Sequence, residues 1–289
     1  ESSRAQQVLE DAIKLSPLAI RRQMELGKLA LDNQDFGTAT RAYRHAMEQG
    51  RTSMFKSPDN YLGLAQALTA QAGEGSLDKR VQADINQTLG ELQKSYSDDS
   101  VVQVRARLTH AQSLVKSGDP ALAKKLTDEA LTQLGELDQF FSAAVSLQVA
   151  SQLRELGQAD ASDALLKNCA EVYGDDPAVM QGIAKQTDDP DILGLATEAI
   201  DFNRQGVRSY QMGRFADALE LFRQALQRQP KNISIALNMA QSLLHGTDTS
   251  VPSAELEECR ACLKMVGLMP DTDARHARYQ KLKSKAFGE

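Results

Sequence analysis

The segment from Phe202 to Asn232 constrains the fold more than any other part of the sequence. In its second half, apolar residues recur at spacings of three, four and three, which places them on one face of a helix. These residues are Phe215, Ala218, Phe222 and Ala225. Gly213 ends the preceding helix, and Pro230 ends this one. The segment therefore predicts a hairpin of two helices that cannot bury its apolar face without a neighbour.

The same spacing of small residues recurs elsewhere, as expected of stacked hairpins. Gly206 lies in the first helix, where it lets the second helix approach closely, and Ala225 follows it by 19 residues. Gly27 and Ala46 are also separated by 19 residues. Ala240 follows Gly206 by 34 residues, which is one full repeat. We therefore expect similar hairpins along the whole chain.

The order of residues in this segment resembles the tetratricopeptide repeat. It contains an aromatic residue, a glycine, a turn glycine, a second aromatic residue, two alanines and a closing proline. It differs at Gln205, where a leucine is usual, and at Tyr210, which lies one place later than the usual aromatic residue. The resemblance implies an all-α fold, namely a right-handed α-solenoid of helical hairpins, with about 14 or 15 helices over this length of chain.

The repeat register is regular near the C-terminus and uneven before it. Between residues 27 and 150, the corresponding small residues are separated by 38, 46 and 39 residues. The register is lost between Gly182 and Pro190, because the polar run that ends in this proline breaks a short helix. We therefore predict a divergent array over residues 1–187, and a pair of repeats with capping helices over residues 188–289.

The chain also begins in the middle of a repeat. Ala5, Leu9 and Ala12 have the relative spacing of the core residues in the second helix of the 202–232 hairpin. The first helix of this opening repeat is missing. The pattern therefore predicts more protein upstream.

Composition and charge favour a helical binding protein inside the cell. Hydrophobic residues make up 42% of the chain, but aromatic residues only 5%, which suits helices packed through small side chains. A net charge of −6 argues against general binding to nucleic acid or to an anionic membrane, since both need a basic face. No apolar run approaches the ~20 residues that cross a bilayer. Three cysteines, an odd number, fit a reducing compartment, so we expect a cytoplasmic protein.

No residue pattern indicates an enzyme, a cofactor or a metal site. Cys259 and Cys262 form a C-x-x-C pair, which could be redox active or half of a zinc site. A zinc site usually needs four ligands, and only His276 is near in sequence. We therefore interpret both cysteines as small buried residues.

Three pairs of aspartates lie at predicted helix boundaries. They are Asp98-Asp99, Asp175-Asp176 and Asp188-Asp189. Carboxylates at these positions satisfy open N–H groups and favour the helix dipole. We interpret them as caps rather than as paired catalytic acids.

The last predicted helix is strongly basic. Its cations are Arg275, Arg278, Lys281, Lys283 and Lys285. This helix could contact an acidic partner or nucleic acid. Because it also has an apolar side, we favour a solvated helix that closes the array.

In tetratricopeptide arrays, the first helix of each hairpin lines the concave groove. Carried onto this sequence, the resemblance implies a stripe of groove residues: Arg21, Met24, Lys28, Leu62, Gln66, Arg105, Leu108, Gln112, Leu147, Ser151, Arg154, Asn203, Val207, Tyr210, Leu237 and Gln241. All formal charges in this stripe are positive, which favours an acidic or C-terminal carboxylate peptide as the ligand. The alternative is that some of these residues merely flank helix ends. The Lys and Asn pattern with which some relatives bind a chaperone tail is not matched, since Met24 and Asn203 occupy the equivalent places.

At a finer level, the chain resembles the C-terminal repeat region of bacterial response regulators that carry an N-terminal receiver domain. The resemblance rests on Leu15 to Leu68, which includes S-P-L-A-I-R-R-Q and K-S-P-D-N-Y-L-G-L-A, and on Asn203 to Leu244. It implies a protein-binding output module whose groove is exposed or reoriented when the receiver is phosphorylated. Two alternatives stay open: a scaffold in cell-envelope assembly, and the regulatory arm of an enzyme whose catalytic domain is missing.

Overall fold

The computed structural model describes residues 2–16, 18–72, 77–194, 197–245 and 253–288. Its regular structure is entirely helical, which confirms the predicted all-α fold. The described residues form sixteen helices, slightly more than expected, and one of these has only four residues. The chain divides into two compact units, residues 1–136 and residues 137–289. We call them unit 1 and unit 2.

Unit 1 is a stack of antiparallel helices, each packed mainly on its neighbours in sequence. Its helices are α1 Ser2–Leu15, α2 Ile20–Asp32, α3 Phe36–Gly50, α4 Pro58–Gln71, α5 Lys79–Ser95, α6 Ser100–Ser117 and α7 Pro120–Gly135. Most of its core lies between α3, α4, α5 and α6, where Leu64, Ile85 and Leu92 are completely buried.

Unit 2 contains the remaining helices and includes the segment from Phe202 to Asn232. They are α8 Ala143–Glu155, α9 Ala159–Tyr173, α10 Pro177–Ala184, α11 Pro190–Leu193, α12 Thr197–Gln211, α13 Phe215–Arg228, α14 Ile233–Leu243, α15 Ala254–Val266 and α16 His276–Phe287. The hairpins α12–α13 and α14–α15 follow the predicted repeat period. Ala199, Ala225 and Ile235 form the buried contact between these hairpins.

The predicted loss of register lies inside unit 2. It corresponds to the two short helices α10 and α11, which both pack against α9. The compact units themselves divide at residues 136 and 137. A separate domain over residues 188–289 stays a prediction.

Helix starts follow the local rules that the sequence indicated. Asp99, Asp176 and Asp189 each accept a backbone hydrogen bond in the first turn of the next helix, at 3.0, 2.8 and 2.9 Å. This confirms that one member of each aspartate pair is a cap. Pro177 and Pro190 occupy the first turns of their helices, where the missing N–H has no helical partner in any case.

Aromatic rings seated on glycines hold the helices of the regular hairpins together. Tyr43 of α3 lies against Gly27 of α2 and Gly63 of α4, and a Cβ atom on Gly27 would come within 2.9 Å of the ring. Phe222 of α13 lies against Gly206 of α12, where a Cβ atom would come within 2.6 Å. Both rings are buried. The small residues predicted at Gly27 and Gly206 are therefore required for the close approach.

Hydrogen bonds join the segment before α8 to α9 and to the loop before α16. The Phe140 N–H donates to the Leu268 carbonyl at 2.8 Å, and the Tyr173 hydroxyl donates to the Phe141 carbonyl at 2.7 Å. The Arg275 guanidinium lies 5.1 Å from the centroid of the Tyr173 ring. These contacts fix the start of the basic helix α16 against α9.

Replacing Gly63 with alanine is expected to destabilise unit 1 by about 1–3 kcal/mol, because the new methyl group overlaps the ring of Tyr43, which Gly27 confines from the other side. Gly90→Ala, in α5 of the same unit, is the matched control. No atom lies within 4 Å of its Cβ position, so we expect no loss and a gain of up to about 1 kcal/mol. Urea unfolding measured by circular dichroism compares the two variants. Equal free energies of unfolding would contradict this packing role of Gly63.

Candidate functional site

The predicted groove residues lie on α2, α4, α6, α8, α12 and α14. Arg21 and Lys28 are exposed at the surface of unit 1. Ten members of the stripe are half-buried: Met24, Gln66, Gln112, Leu147, Ser151, Arg154, Asn203, Val207, Tyr210 and Gln241. The stripe is divided between the two units, with its α2, α4 and α6 residues in unit 1 and its α8, α12 and α14 residues in unit 2.

Three predicted groove residues belong to the core instead. Leu62, Leu108 and Leu237 are at most 1% exposed, so they cannot contact a partner. Their helices α4, α6 and α14 pack against neighbours on several sides. On such a helix, a residue next to the positions that pack within the hairpin is buried by another neighbouring helix. The assignment of these three residues to a binding surface was wrong.

Two of the four predicted groove cations are neutralised within the chain. Arg105 is only 7% exposed, and its guanidinium lies 2.7 Å from a carboxylate oxygen of Asp59. Arg154 forms an ion pair with Asp163. The stripe is therefore less positive than its formal charges suggested, and Arg21 and Lys28 are its exposed cations.

Unit 2 brings part of the stripe together in a hydrogen-bonded network across three helices. Asn238 of α14 donates to Asn203 Oδ1 of α12 at 2.8 Å. Gln241, one turn further along α14, donates to the Tyr210 hydroxyl at 3.4 Å. The amide oxygens of both α14 residues accept from Arg278 Nη2 of α16, each at 2.8 Å. We call these five residues the Arg278 network.

Arg278 is the only charged member of this network. It is half-buried, and burial lowers the pKa of its guanidinium. In the part of the chain that the structure describes, no carboxylate oxygen lies within 4.0 Å of it. Its Nε and Nη1 atoms donate to no described residue. Arg278 is thus a partly desolvated cation with amide oxygens as neighbours and further N–H groups available to a ligand.

The neighbouring arginine has a different environment. Arg275 makes two hydrogen bonds to the carboxylate of Asp273, at 2.9 and 2.8 Å, and donates to Ser234 at 3.0 Å. Asp175 lies 4.0 Å away on its other side. The pKa of Asp273 is lowered because Arg275 donates to it, although burial opposes the shift. Arg275 is therefore a structural residue with its charge compensated.

An aromatic cluster holds Tyr210 in place. Its ring centroid lies 5.1 Å from that of Phe215, in an edge-to-face arrangement, and His245 stacks on Phe215 with centroids 3.7 Å apart. Such contacts fix the orientation of a tyrosine ring. Tyr210, which lies one place later than the usual aromatic residue of the repeat, thus supplies the hydroxyl group of the Arg278 network.

The pattern did not identify Asn238 or Arg278 as site residues. Asn238 directly follows the predicted residue Leu237. The side chain of Leu237 is buried, and that of Asn238 takes part in the network. Arg278 was noted only as part of a basic helix. The carboxylate partner of Arg275 is two residues away, at Asp273, whereas the amide acceptors of Arg278 lie about 40 residues away in sequence.

The cysteines are buried thiols. Cys259 is 0% exposed, Cys262 is 6% exposed and Cys169 is 1% exposed, in agreement with a packing role. Among the described residues, no group of three or more His, Cys, Asp or Glu side chains could hold a metal ion. Within the same residues, no helix combines the length and the apolar character needed to cross a membrane.

Two segments match family models for the tetratricopeptide repeat, residues 105–183 and residues 209–249. The second segment includes Tyr210, Asn238 and Gln241 of the Arg278 network. These matches confirm that the chain contains such repeats.

Among solved structures, the chain is similar to the APC/C hetero-tetramer Cut9-Hcn1, with a TM-score of 0.38 and 10% identity over 97% of this chain and 46% of that chain. It is also similar to the human IFIT1 dimer with PPP-AAAA, with a TM-score of 0.34 and 14% identity over 91% of this chain and 53% of that chain. The chain thus spans about half the length of these two chains. No curated protein matches it in sequence.

The three thiols are expected to be unreactive in the folded protein at pH 8. Burial raises the pKa of Cys169 and of Cys259 to about 11 and that of Cys262 to about 12, so that almost no reactive thiolate is present. Titration with a chromogenic disulfide reagent, before and after unfolding in guanidinium, counts the reactive thiols. We expect them to react only after unfolding. Rapid reaction of Cys259 and Cys262 in the native protein would instead indicate a redox pair.

Proposed function

We propose that this chain is a non-catalytic module that binds another protein, and that unit 2 holds an acidic segment of this partner on the face shared by α12, α14 and α16. The repeats in residues 105–183 and 209–249 support the protein-binding part of the proposal. The observation that carries the acidic part is the environment of Arg278, a half-buried cation whose hydrogen bonds, among the residues that the structure describes, go to amide oxygens.

A carboxylate is the ligand group that suits this environment best. A charge that leaves bulk water loses solvation, and neutral amide oxygens restore only part of it. A hydrogen bond that involves a charged group is worth about 1.5–3 kcal/mol, and a carboxylate acceptor adds the attraction between opposite charges. The planar fork of a guanidinium also matches the two oxygens of a carboxylate. An aspartate, a glutamate or a C-terminal carboxylate would therefore compensate Arg278.

The carboxylates of the surrounding helices are compensated, since Glu198 and Asp201 of α12 pair with Arg228 and Arg204. α14 contains no charged residue, and α16 contains basic residues but no acidic one. The nearby carboxylates of Asp273 and Asp175 are engaged with Arg275. A ligand carboxylate at Arg278 would thus meet amide groups and cations. Asn203 and Tyr210 extend the polar surface for the backbone or side chains of the same ligand.

We further propose that this module is the output part of a bacterial two-component signalling protein. The proposal is supported by the resemblance of residues 15–68 and 203–244 to the repeat region of response regulators with a receiver domain. In this mechanism, phosphorylation of the receiver exposes or reorients the binding face. The test is the affinity of the full-length protein for its partner with and without phosphorylation. An affinity that phosphorylation leaves unchanged would exclude the mechanism.

Replacing Arg278 with glutamine is expected to weaken binding of an acidic peptide about tenfold or more, because one charge-assisted hydrogen bond is worth about 1.5–3 kcal/mol. The probes are peptides selected by phage display on the immobilised 289-residue chain, with affinities measured by fluorescence anisotropy. We expect the selected sequences to be rich in Asp and Glu, and Arg278→Lys to retain part of the affinity.

Lys281→Gln is the matched control, because it removes one positive charge from an exposed position of the same helix. We expect it to change the affinity less than about threefold. Thermal unfolding checks that both variants are folded. Equal losses for the two variants would mean that net charge, and not Arg278, determines binding. Selected peptides without acidic residues would exclude the proposed ligand class.

A further inference from the structure

Four large apolar side chains are exposed at two helix connections of unit 1. Leu15 and Leu18 flank the α1–α2 connection and are 86% and 69% exposed. Met54 and Phe55 lie in the α3–α4 connection and are 90% and 40% exposed. We call these four residues the apolar edge. Removing such side chains from water is favourable, so a partner that covers the edge would be stabilised by apolar burial.

The structure holds this edge in a defined conformation. In the α3–α4 connection, the Ser53 N–H donates to the Gly50 carbonyl at 3.1 Å, and the Lys56 N–H donates to the Ser53 carbonyl at 3.3 Å. The Phe55 N–H donates to the Ser53 hydroxyl at 3.0 Å. This hydrogen-bonded turn presents Met54 to solvent.

A cation–π contact joins the two connections. The guanidinium of Arg21, in the first turn of α2, lies 4.9 Å from the centroid of the Phe55 ring. Arg22 donates to the Ala12 carbonyl at 3.3 Å, which links α2 to α1. The first turn of α2, where Arg21 is three residues after Leu18, therefore lies next to the α3–α4 connection.

The apolar edge is bordered by positive charge. Arg21, Arg22 and Lys56 have no carboxylate within 4.0 Å in the described part of the chain. Lys56 instead lies over the ring of Tyr96, 5.6 Å from its centroid. Other cations in this region are compensated: Lys14 pairs with Asp11 at 2.8 Å, and Arg51 pairs with Glu91 at 2.6 Å. The surface thus combines exposed apolar groups with three uncompensated cations.

We propose that the apolar edge of unit 1 binds an acidic amphipathic segment of another protein. The apolar side chains of this segment cover Leu18, Met54 and Phe55. Its carboxylates pair with Arg21, Arg22 and Lys56, which steers the encounter and fixes the orientation. The proposal is independent of the Arg278 network, since every residue that it uses lies in unit 1.

Charge favours this occupant over two others. A second copy bound through the same edge would bring the three cations against their own copies, and like charges oppose association. An anionic membrane would attract the cations, but it would repel the acidic remainder of a chain with a net charge of −6. An acidic and apolar protein segment complements both the cations and the apolar groups.

The probe is a fluorescein-labelled helical peptide of about 18 residues, with leucines at positions i, i+3, i+4 and i+7 and glutamates beside them. Fluorescence anisotropy measures its affinity for the 289-residue chain. We expect binding that weakens with salt, and a loss of about tenfold or more for the Leu18→Ser, Met54→Ser double variant. Both side chains are exposed, so the thermal unfolding temperature should stay unchanged.

The matched control is Met212→Ser, which removes another exposed methionine, 68% accessible, from unit 2. We expect it to leave the affinity for this peptide unchanged. Several results would overturn the proposal: no binding, equal binding of a peptide with lysines in place of the glutamates, or an unchanged affinity of the double variant. Loss of binding on Arg278→Gln would place the peptide at the Arg278 network. Sedimentation of the chain with phosphatidylserine vesicles, abolished by the double variant, would make the edge a membrane site instead.

Discussion

The contact of an aromatic ring with a glycine backbone determines how closely the helices of this protein approach. Tyr43 occupies the space that Cβ atoms would fill on Gly27 and Gly63, and Phe222 does the same at Gly206. Each ring supplies a large buried area, and each glycine supplies the hollow that accepts it. The packing in unit 2 continues through Ala225 and Ile235 to α14. This packing holds α12 and α14 close enough for their polar side chains to hydrogen-bond to each other.

The arginines of the chain differ in how their charge is compensated, and this difference separates structural from binding roles. Arg105, Arg154 and Arg275 each have a carboxylate partner. Arg278 is also partly removed from water, but its acceptors are the amide oxygens of Asn238 and Gln241. Breaking a buried ion pair is costly, whereas an amide acceptor can exchange its place with a carboxylate at little cost. Arg278 is therefore suited to binding, and Arg275 to holding α16 in place.

The sequence predicted the hairpins well because their signals are local. Small residues at fixed spacing indicated where the helices approach closely, and Asp99, Asp176 and Asp189 preceded their helices as caps. Accessibility was harder to predict, because it depends on what covers a helix from every side. Leu62, Leu108 and Leu237 are adjacent to the packing positions of their helices, and neighbouring helices bury them as well.

Side-chain partners distant in sequence could not be predicted from periodicity. Arg105 and Asp59 are 46 residues apart, and Arg278 and Asn238 are 40 residues apart. A repeat pattern places such residues on a helix face, but it does not decide which cation receives a carboxylate. The formal charges of the predicted stripe therefore overestimated its positive potential. For the same reason, the pattern could not distinguish Arg278 from the other cations of the basic helix.

A ligand carboxylate that compensates Arg278 would change the environment of its guanidinium, and the Nε–H resonance of this arginine reports that change. The measurement is a ¹H–¹⁵N NMR titration of the 289-residue chain with a selected acidic peptide, with Arg278→Lys used to assign the signal. We predict that the Arg278 resonance shifts progressively and saturates together with binding, while that of Arg275 stays in place. A peptide that binds and leaves the Arg278 resonance unchanged would contradict the account.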